Sequence, residues 1–566
     1  MQDAPKPTLV TPQQALIHAM YVEHRSMSVV ARALGLTMIR VREALVQHER
    51  NLLRDQGIRP PPLREMLKGD VTTRFDVSRS EAGGRPSKHR QHDFHKRASP
   101  AATAAKAARL KRLAAPTAGT RRLVVTCIEP DAPVHLEFWR NLKAYASHHG
   151  AELVVGQIGS TSPKVDHYGD HAAHLAWEPF GLGRALDVAF DERLPARLPR
   201  PLDAIRHRSS AGWTLVGHPA IQFETLPRVR ADGYKAQMTT GVMTVPRNRP
   251  PHWRRELGAV VVEITQAGST HCRHILAPLD GDGSFQDLDL RVSRGYVRSG
   301  CAVEALTFGD VHHAQLDPVV AAATWGLGAE ATAGISLVDR LRPRHMVFHD
   351  VCDFESRSAH DRGDHLRRFA QMVAGGGDVA AELTATARFL EATRRKWSQS
   401  VVVGSNHDEA FVRWLREADF REDPLNAVFF LESALDLHRR LAAGEHADNY
   451  FEHTLRRLAP NGLSGVRFLR TGESLKIGGI EAAINGHAGA DGRQGDIRFF
   501  ERLGIRATLG HTHKPISRDG IYCSGVCQEK FDYSRGVLTG WGIGHVVTYF
   551  NGSRQHLIFI DGAFHA

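Results

Sequence analysis

The chain is 566 residues long, 42% apolar and 24% charged, with a formal net charge of +11 at pH 7. That length calls for about two to four domains with cores of their own, in the composition range of ordinary soluble globular chains. No apolar run approaches the roughly 18–20 residues that a membrane span needs, and the opening MQDAPKPTLVTPQQ lacks the basic-then-apolar order of a secretory signal. Six cysteines are scattered at 127, 272, 301, 352, 523 and 527. Cys523 and Cys527 are close, but no second pair completes a zinc site, so free thiols in a reducing cytoplasm are expected.

Residues 1–58 read as a small helical unit, with helical periodicity from Pro12 to Arg54. Ser28-Val29-Val30-Ala31-Arg32-Ala33-Leu34-Gly35-Leu36-Thr37 has the order helix, Gly-containing turn, N-cap. A second helix is expected over Met38 to His48, packing through Ile39, Val41 and Leu45, with Arg40 and Arg42 near its start. This is the helix-turn-helix pattern, whose second helix can enter a major groove. DNA contact through Thr37, Arg40 and Arg42 is the expectation, and a three-helix docking module is the alternative.

Residues 59–120 carry 14 Lys and Arg against 5 Asp and Glu, a net +9. Rich in Pro, Ala, Gly and Ser and poor in large apolar residues, this stretch reads as a flexible basic linker. Gly84-Arg85-Pro86 has the core of a minor-groove hook, but Gly83 stands where such a core carries Arg. Diffuse attraction to phosphates, with Arg85 and Lys88 among the contacts, is therefore expected; a solubilising linker without a partner is the alternative.

Residues 121–300 read as a separate α/β domain: a strand over Arg121 to Ile128, an amphipathic helix over Val134 to His148, and a strand over Leu153 to Val155. Glu129-Pro130-Asp131, rather than a Gly-rich phosphate loop, follows the first strand. No chemistry can be assigned to this region from its residues; substrate positioning or oligomerisation is the default, and a homo-oligomer is compatible with the sequence.

In residues 301–566, five short apolar runs each end on metal-ligand side chains. VEALTF precedes Gly309-Asp310-Val311-His312, HMVF precedes His349-Asp350, and VVVGS precedes Asn406-His407-Asp408. IEAAIN precedes Gly486-His487, and ATL precedes Gly510-His511-Thr512-His513. Buried strands of α/β sheets read as continuous apolar runs, and their chemistry lies beyond the strand carboxyl ends. With 33 histidines in the chain, one such motif means little; five in succession can converge on a binuclear metal site. Imidazole, carboxylate and amide ligands suit borderline divalent ions such as Mn²⁺, Fe²⁺ or Zn²⁺, Mn²⁺ foremost, with the harder Mg²⁺ as a further alternative. Two cations about 3.5–4 Å apart can activate a water and clamp the oxygens of a phosphoryl group.

The order Asp-x-His, Asp, Asn-His, His, His-x-His resembles the calcineurin-like metallophosphoesterase superfamily over roughly residues 301–566. The resemblance implies a β-sandwich flanked by helices. It also implies that Asp310, His312, Asp350 and His513 hold one metal, and that Asp350, Asn406, His487 and His511 hold the other, Asp350 bridging. His407, oriented by Asp408, would sit over the substrate phosphate, with His312 and His360 as further candidates for leaving-group contact. Two positions depart from the pattern: His349 replaces the usual Gly, and Ser405 separates Gly404 from Asn406. Val351-Cys352-Asp353-Phe354 follows the bridging Asp where phosphoprotein phosphatases have an Asp-Arg-Gly run, which argues against that branch. HDVCDFESRSAHDRGDHLRR, VVVGSNHDEAFVRWL, INGHAGADGRQGD, GHTHKP and LTGWGIGHVVTYFNGSRQHLIFIDG are similar to large tailed-phage phosphoesterases, a branch linked to DNA transfer and host-DNA degradation. That similarity runs from about residue 121 to the end.

The expectation is a binuclear-metal phosphodiesterase acting as a DNA nuclease, in the host cytoplasm if phage-encoded, with no membrane partner. Two alternatives stand beside it: a phosphodiesterase or phosphomonoesterase of small molecules, and a DNA-binding regulator with a structural metal centre.

Overall fold

A computed structural model describes residues 9–24, 27–55, 119–129, 132–158, 170–176, 179–190, 194–205, 211–228, 233–245, 256–331, 335–358, 363–470, 472–489, 495–528, 538–560 and 562–564. The chain divides into two compact units, residues 1–96 and 97–566.

Among the described residues the first unit holds three helices, α1 (Pro12–His24), α2 (Met27–Leu34) and α3 (Met38–Asp55). Gly35 takes φ +64° between α2 and α3, a conformation glycine adopts without steric cost, and Leu36 N–H closes the turn on Ala31 O at 2.9 Å. Thr37 caps α3, its hydroxyl accepting from Arg40 N–H at 3.3 Å. Ile17, Tyr21, Val30, Ala31, Val41, Leu45 and Val46 form the core. Ile39 does not join it, being 70% exposed: at 100° per residue it lies about 200° around the helix from Val41. α3 also runs past His48, because Asn51 and Asp55 tie it to Leu9. Thr37 and Arg40 are exposed and Arg42 is half-buried. Arg85 and Lys88 lie outside the described residues.

The second unit is built on three principal sheets. In the four-stranded sheet the order is Glu152–Gln157, Arg121–Ile128, Glu256–Ile264, Thr270–Pro278, with the helix Leu136–His149 packed on it through Phe138, Trp139 and Leu142. The helix begins two residues later than its periodicity predicts, because the His135 ring accepts from Phe138 N–H and caps it. The six-stranded sheet has the order Val466–Phe468, Gln399–Val402, His345–Phe348, Ala305–Thr307, Gly544–Thr548, Arg554–Ile558. Its first four strands are parallel and its last two antiparallel. Leu306, Phe308, Met346 and Phe348 bury against Trp325, Phe389 and Leu390 of neighbouring helices, which is why these strands read as unbroken apolar runs.

The ten-stranded sheet crosses position 300. Lys476–Ile477, Ile480–Glu481, Ala507–Leu509, Ile521–Cys523 and Ile516–Arg518 continue directly into Phe223–Thr225, Ala236–Thr239, Trp213–Val216, Leu186–Ala189 and Phe180–Leu182. A buried ionic network adds to this continuity. Arg273 pairs with Glu263 and with Asp287, and Asp287 also accepts from Gln555 on the last strand at 2.8 Å. Among the described residues no helix is long and apolar enough to cross a membrane, and all six cysteines are buried and free.

Candidate metal centre

Each of the five motifs leaves a strand, or a short turn after one, at the same end of the second unit. Asp310 and His312 follow Ala305–Thr307, Asp350 follows His345–Phe348, and Asn406 opens the helix Asn406–Glu417 after Gln399–Val402. His487 follows Ile480–Glu481, and His511 and His513 follow Ala507–Leu509. Parallel register between the first two strands brings their loops together, so that His312 N–H donates to Asp350 O at 2.8 Å and Val311 N–H to His349 O at 3.1 Å. The second sheet is stitched to the first by His511 N–H, which donates to Asp310 Oδ1 at 2.9 Å.

Four of these residues occupy left-handed backbone: His312 (φ 42°), Asp350 (44°), His511 (65°) and His513 (56°). For non-glycine residues that conformation costs about 1–3 kcal/mol each and persists only where the surroundings enforce it. Gly510 is required by close approach, since a Cβ there would lie 2.5 Å from Asp310 Oδ1 and 2.6 Å from the His349 ring. The imidazole of His349 is thus accommodated by the absent side chain at 510. His349 is buried and held neutral, its pKa lowered by burial to about 4.

Asp310, His312, Asp350 and His513 offer ligand atoms that all lie within 4.8 Å of one another, and all four are buried. His513 Nε2 stands 3.4 Å from Asp310 Oδ2 and 3.2 Å from His312 Nε2. Asp310 Oδ2 and Asp350 Oδ2 are buried without a hydrogen-bond partner, a costly arrangement for a charged oxygen and one that a cation resolves. Burial and the Asp350 charge drive the Asp310 carboxyl well above its usual range. Asp350 is held well below it, the His511, His407 and His312 rings outweighing burial. Burial would lower His312, but the Asp353 hydrogen bond and the surrounding carboxylates raise it to about 9. Concentrated negative charge and inward-facing O and N donors fit a divalent metal.

His511 and His487 stand in a looser arrangement beside Asp350. His511 Nδ1 is 3.9 Å from Asp350 Oδ2, and the His487 and His511 rings are 6.1 Å apart. Asn406 Oδ1 is buried without a hydrogen-bond partner. Among the described residues these side chains do not form a cluster as tight as the first.

Asp353 and Asn485 escaped the sequence reading. Asp353 Oδ1 accepts from His312 Nδ1 at 3.0 Å and its carbonyl accepts from His407 Nδ1 at 3.1 Å. His312 therefore carries a proton on Nδ1 and turns Nε2 to His513, the usual way a carboxylate fixes a ligating histidine, and His407 carries one on Nδ1. Asn485 donates to Asp350 Oδ1 at 3.1 Å and accepts from His487 Nδ1 at 3.0 Å. Their positions, three residues after Asp350 and two before His487, are the signal that was available. Asp408, expected to orient His407, does not touch it: both its carboxylate oxygens are buried without a hydrogen-bond partner, and burial drives it well above the usual carboxylate range. His360 lies outside the described residues.

A cleft of about 690 Å³ opens beside Asn485 and His487 and runs along the helix Asn406–Glu417 past Arg413 and Arg416. Its walls also carry Glu409, Glu452 and Glu473, so the lining is mixed in charge rather than basic.

No protein-family model matches the chain, and no solved structure does. The chain is 29% identical over 470 residues to Protein A1 of Escherichia phage T5, a match covering 79% of this chain and 83% of that protein. The buried Asp/His cluster and this similarity to a bacteriophage protein over most of both chains are the two findings on which a functional reading stands.

Proposed function

We propose that this chain is a phosphodiesterase dependent on two divalent cations, Mn²⁺ foremost, with DNA as its substrate. The observation that carries the reading is the buried quartet Asp310, His312, Asp350 and His513, with two carboxylate oxygens lacking any hydrogen-bond partner. Divalent cations bound there supply Lewis-acid charge for an in-line displacement at phosphorus. Asp350, the quartet member that also faces His511, would hold the two halves of the centre together. Asp353 fixes His312 as a ligand through Nε2. His407 is partly exposed, and its side chain lies against Asp353; with Nδ1–H on the Asp353 carbonyl, Nε2 meets the substrate and, when protonated, donates to the departing oxygen.

DNA is preferred to a small phosphodiester because of the first 120 residues. The three-helix unit exposes Thr37 and Arg40 at the start of its longest helix, and the following segment carries the net +9 charge. Scattered Lys and Arg bind polyanions without reading sequence. The test is purified chain with Mn²⁺ or Mg²⁺ against linear duplex, circular duplex, single-stranded DNA and bis-p-nitrophenyl phosphate. Metal-dependent cleavage of DNA is expected; cleavage of the chromogenic ester alone moves the substrate to small molecules, and inactivity on all four removes the enzyme reading.

A further inference from the structure

Among the described residues, 121–300 supply no ligand to the metal centre, yet one strand from that region grips the loop that supplies two. Phe223–Thr225 pairs antiparallel with Ile516–Arg518, Ile516 opposite Glu224 and Ser517 opposite Phe223. Glu224 is buried, and its Oε2 lies 3.0 Å from Lys514 Nζ and 3.0 Å from Arg518 Nη2, while Oε1 accepts from Gln237 at 2.7 Å. Lys514 is the residue directly after His513. On the other flank, Thr225 N–H donates to Pro515 O at 3.2 Å and the Thr225 hydroxyl donates to Gly540 O. Gly540 precedes Trp541, whose ring stands edge-on to His513 at 4.7 Å between centroids.

His511 and His513 both sit at positive φ, a conformation that neighbouring structure must impose. Backbone pairing alone would hold the strand Ile516–Arg518. The Glu224 carboxylate adds a tie to the residue abutting His513, and Thr225 adds one to the segment that carries Trp541. We propose that Phe223–Thr225 is a positioning clamp for metal binding, Glu224 and Thr225 setting the geometry of His511 and His513 without touching the ion. The inference rests on the metal reading above, and it gives the central region a task that no motif in it announces.

Partners behind a ligating histidine typically change metal affinity by roughly 10–100-fold when removed. The test is calorimetric titration of the full chain with Mn²⁺ alone, with melting of the metal-free protein measured alongside. Glu224→Gln keeps an acceptor for Gln237 and removes the charge facing Lys514 and Arg518; Thr225→Val keeps shape and removes the hydroxyl tie. As a control, Arg122→Gln breaks the Arg122–Glu263 pair in the four-stranded sheet, away from the loop. The expected result is Mn²⁺ affinity lowered about 10-fold or more in Glu224→Gln and Thr225→Val, with an altered electron paramagnetic spectrum of the bound Mn²⁺ and unchanged affinity in Arg122→Gln. If Glu224→Gln does not fold, Thr225→Val alone decides. Wild-type affinity in the foldable clamp variants, or equal loss in Arg122→Gln, overturns the clamp. A wild-type chain that binds no Mn²⁺ overturns the metal reading and the clamp together.

Discussion

Asp310 and Asp350 are two buried carboxylates that in the metal-free chain cannot both be comfortable, one driven toward protonation and the other held ionised by histidines. Asp350→Asn removes one member of that conflict, and Asn tolerates the residue's positive φ. Asp350 is the member that the histidines stabilise, so the metal-free variant should melt lower than the wild type, while the stabilisation that Mn²⁺ gives the wild type by binding only the folded state should vanish. Scanning calorimetry with and without Mn²⁺ measures both; a rise with Mn²⁺ as large as in the wild type would end the bridging role. On the proposed reading His407 behaves differently, serving the substrate rather than an ion. His407→Ala should keep Mn²⁺ affinity and lose turnover by roughly 10²–10⁴-fold. Unchanged turnover would transfer the proton role elsewhere.

At the scale of elements, the departure at Ser405 has a structural reason. Its side chain accepts from Asp408 N–H at 3.2 Å and caps the helix Asn406–Glu417, whose first two residues are Asn406 and His407. Ser405→Ala should cost about 1 kcal/mol of stability, the usual value of such a cap, and should lower turnover further by loosening both side chains; denaturant unfolding beside steady-state rates tests this, and a stable variant of full activity would show that the cap is dispensable. The strand-end motifs were legible because a parallel strand buried on both faces must be apolar and its chemistry must follow it, a rule that local sequence carries in full. Ile39 misled because apolar character says nothing about which side of a helix is inward. The orienting partner of His407 misled because adjacency in sequence suggested Asp408, whereas the helix start turns residue 408 away and a loop 54 positions earlier supplies the contact. The ten-stranded sheet was illegible for a related reason: pairing of Phe223–Thr225 with Ile516–Arg518 joins segments nearly three hundred residues apart, each too short to announce a partner.

Across the whole molecule, buried neutral histidines set the response to acid. His274 is lowered by burial from 6.5 to about 4, and His545 and His556 to about 3. Because their folded values lie below the unfolded one, their contribution is complete above about pH 6.5 and is lost as pH falls toward 4 and then 3, by up to about 1.4 kcal/mol per pH unit for each histidine. His312, raised to about 9 without metal, acts in reverse, its contribution present below 6.5 and lost as pH climbs toward 9. His349, at about 4, makes a fourth lowered ring, and the raised Asp310 and Asp408 carboxyls side with His312. With four groups against three, metal-free protein should unfold at lower urea at pH 5 than at pH 7, and an equal midpoint would show these rings to be solvated. The division of the chain into two units poses the larger question. Every ligand belongs to the second unit, while the helical unit and the net +9 segment occupy the first 120 residues. On the proposed reading the first 120 residues raise the local concentration of DNA at the second unit without adding a catalytic group. Removing residues 1–120 should therefore leave hydrolysis of a small chromogenic phosphodiester nearly intact. Cleavage of long DNA should weaken at moderate salt, and its dependence on salt should become shallower as phosphate contacts disappear. Equal loss on both substrates would mean that the arm supports the catalytic fold, and an unchanged salt slope would mean that it does not touch DNA.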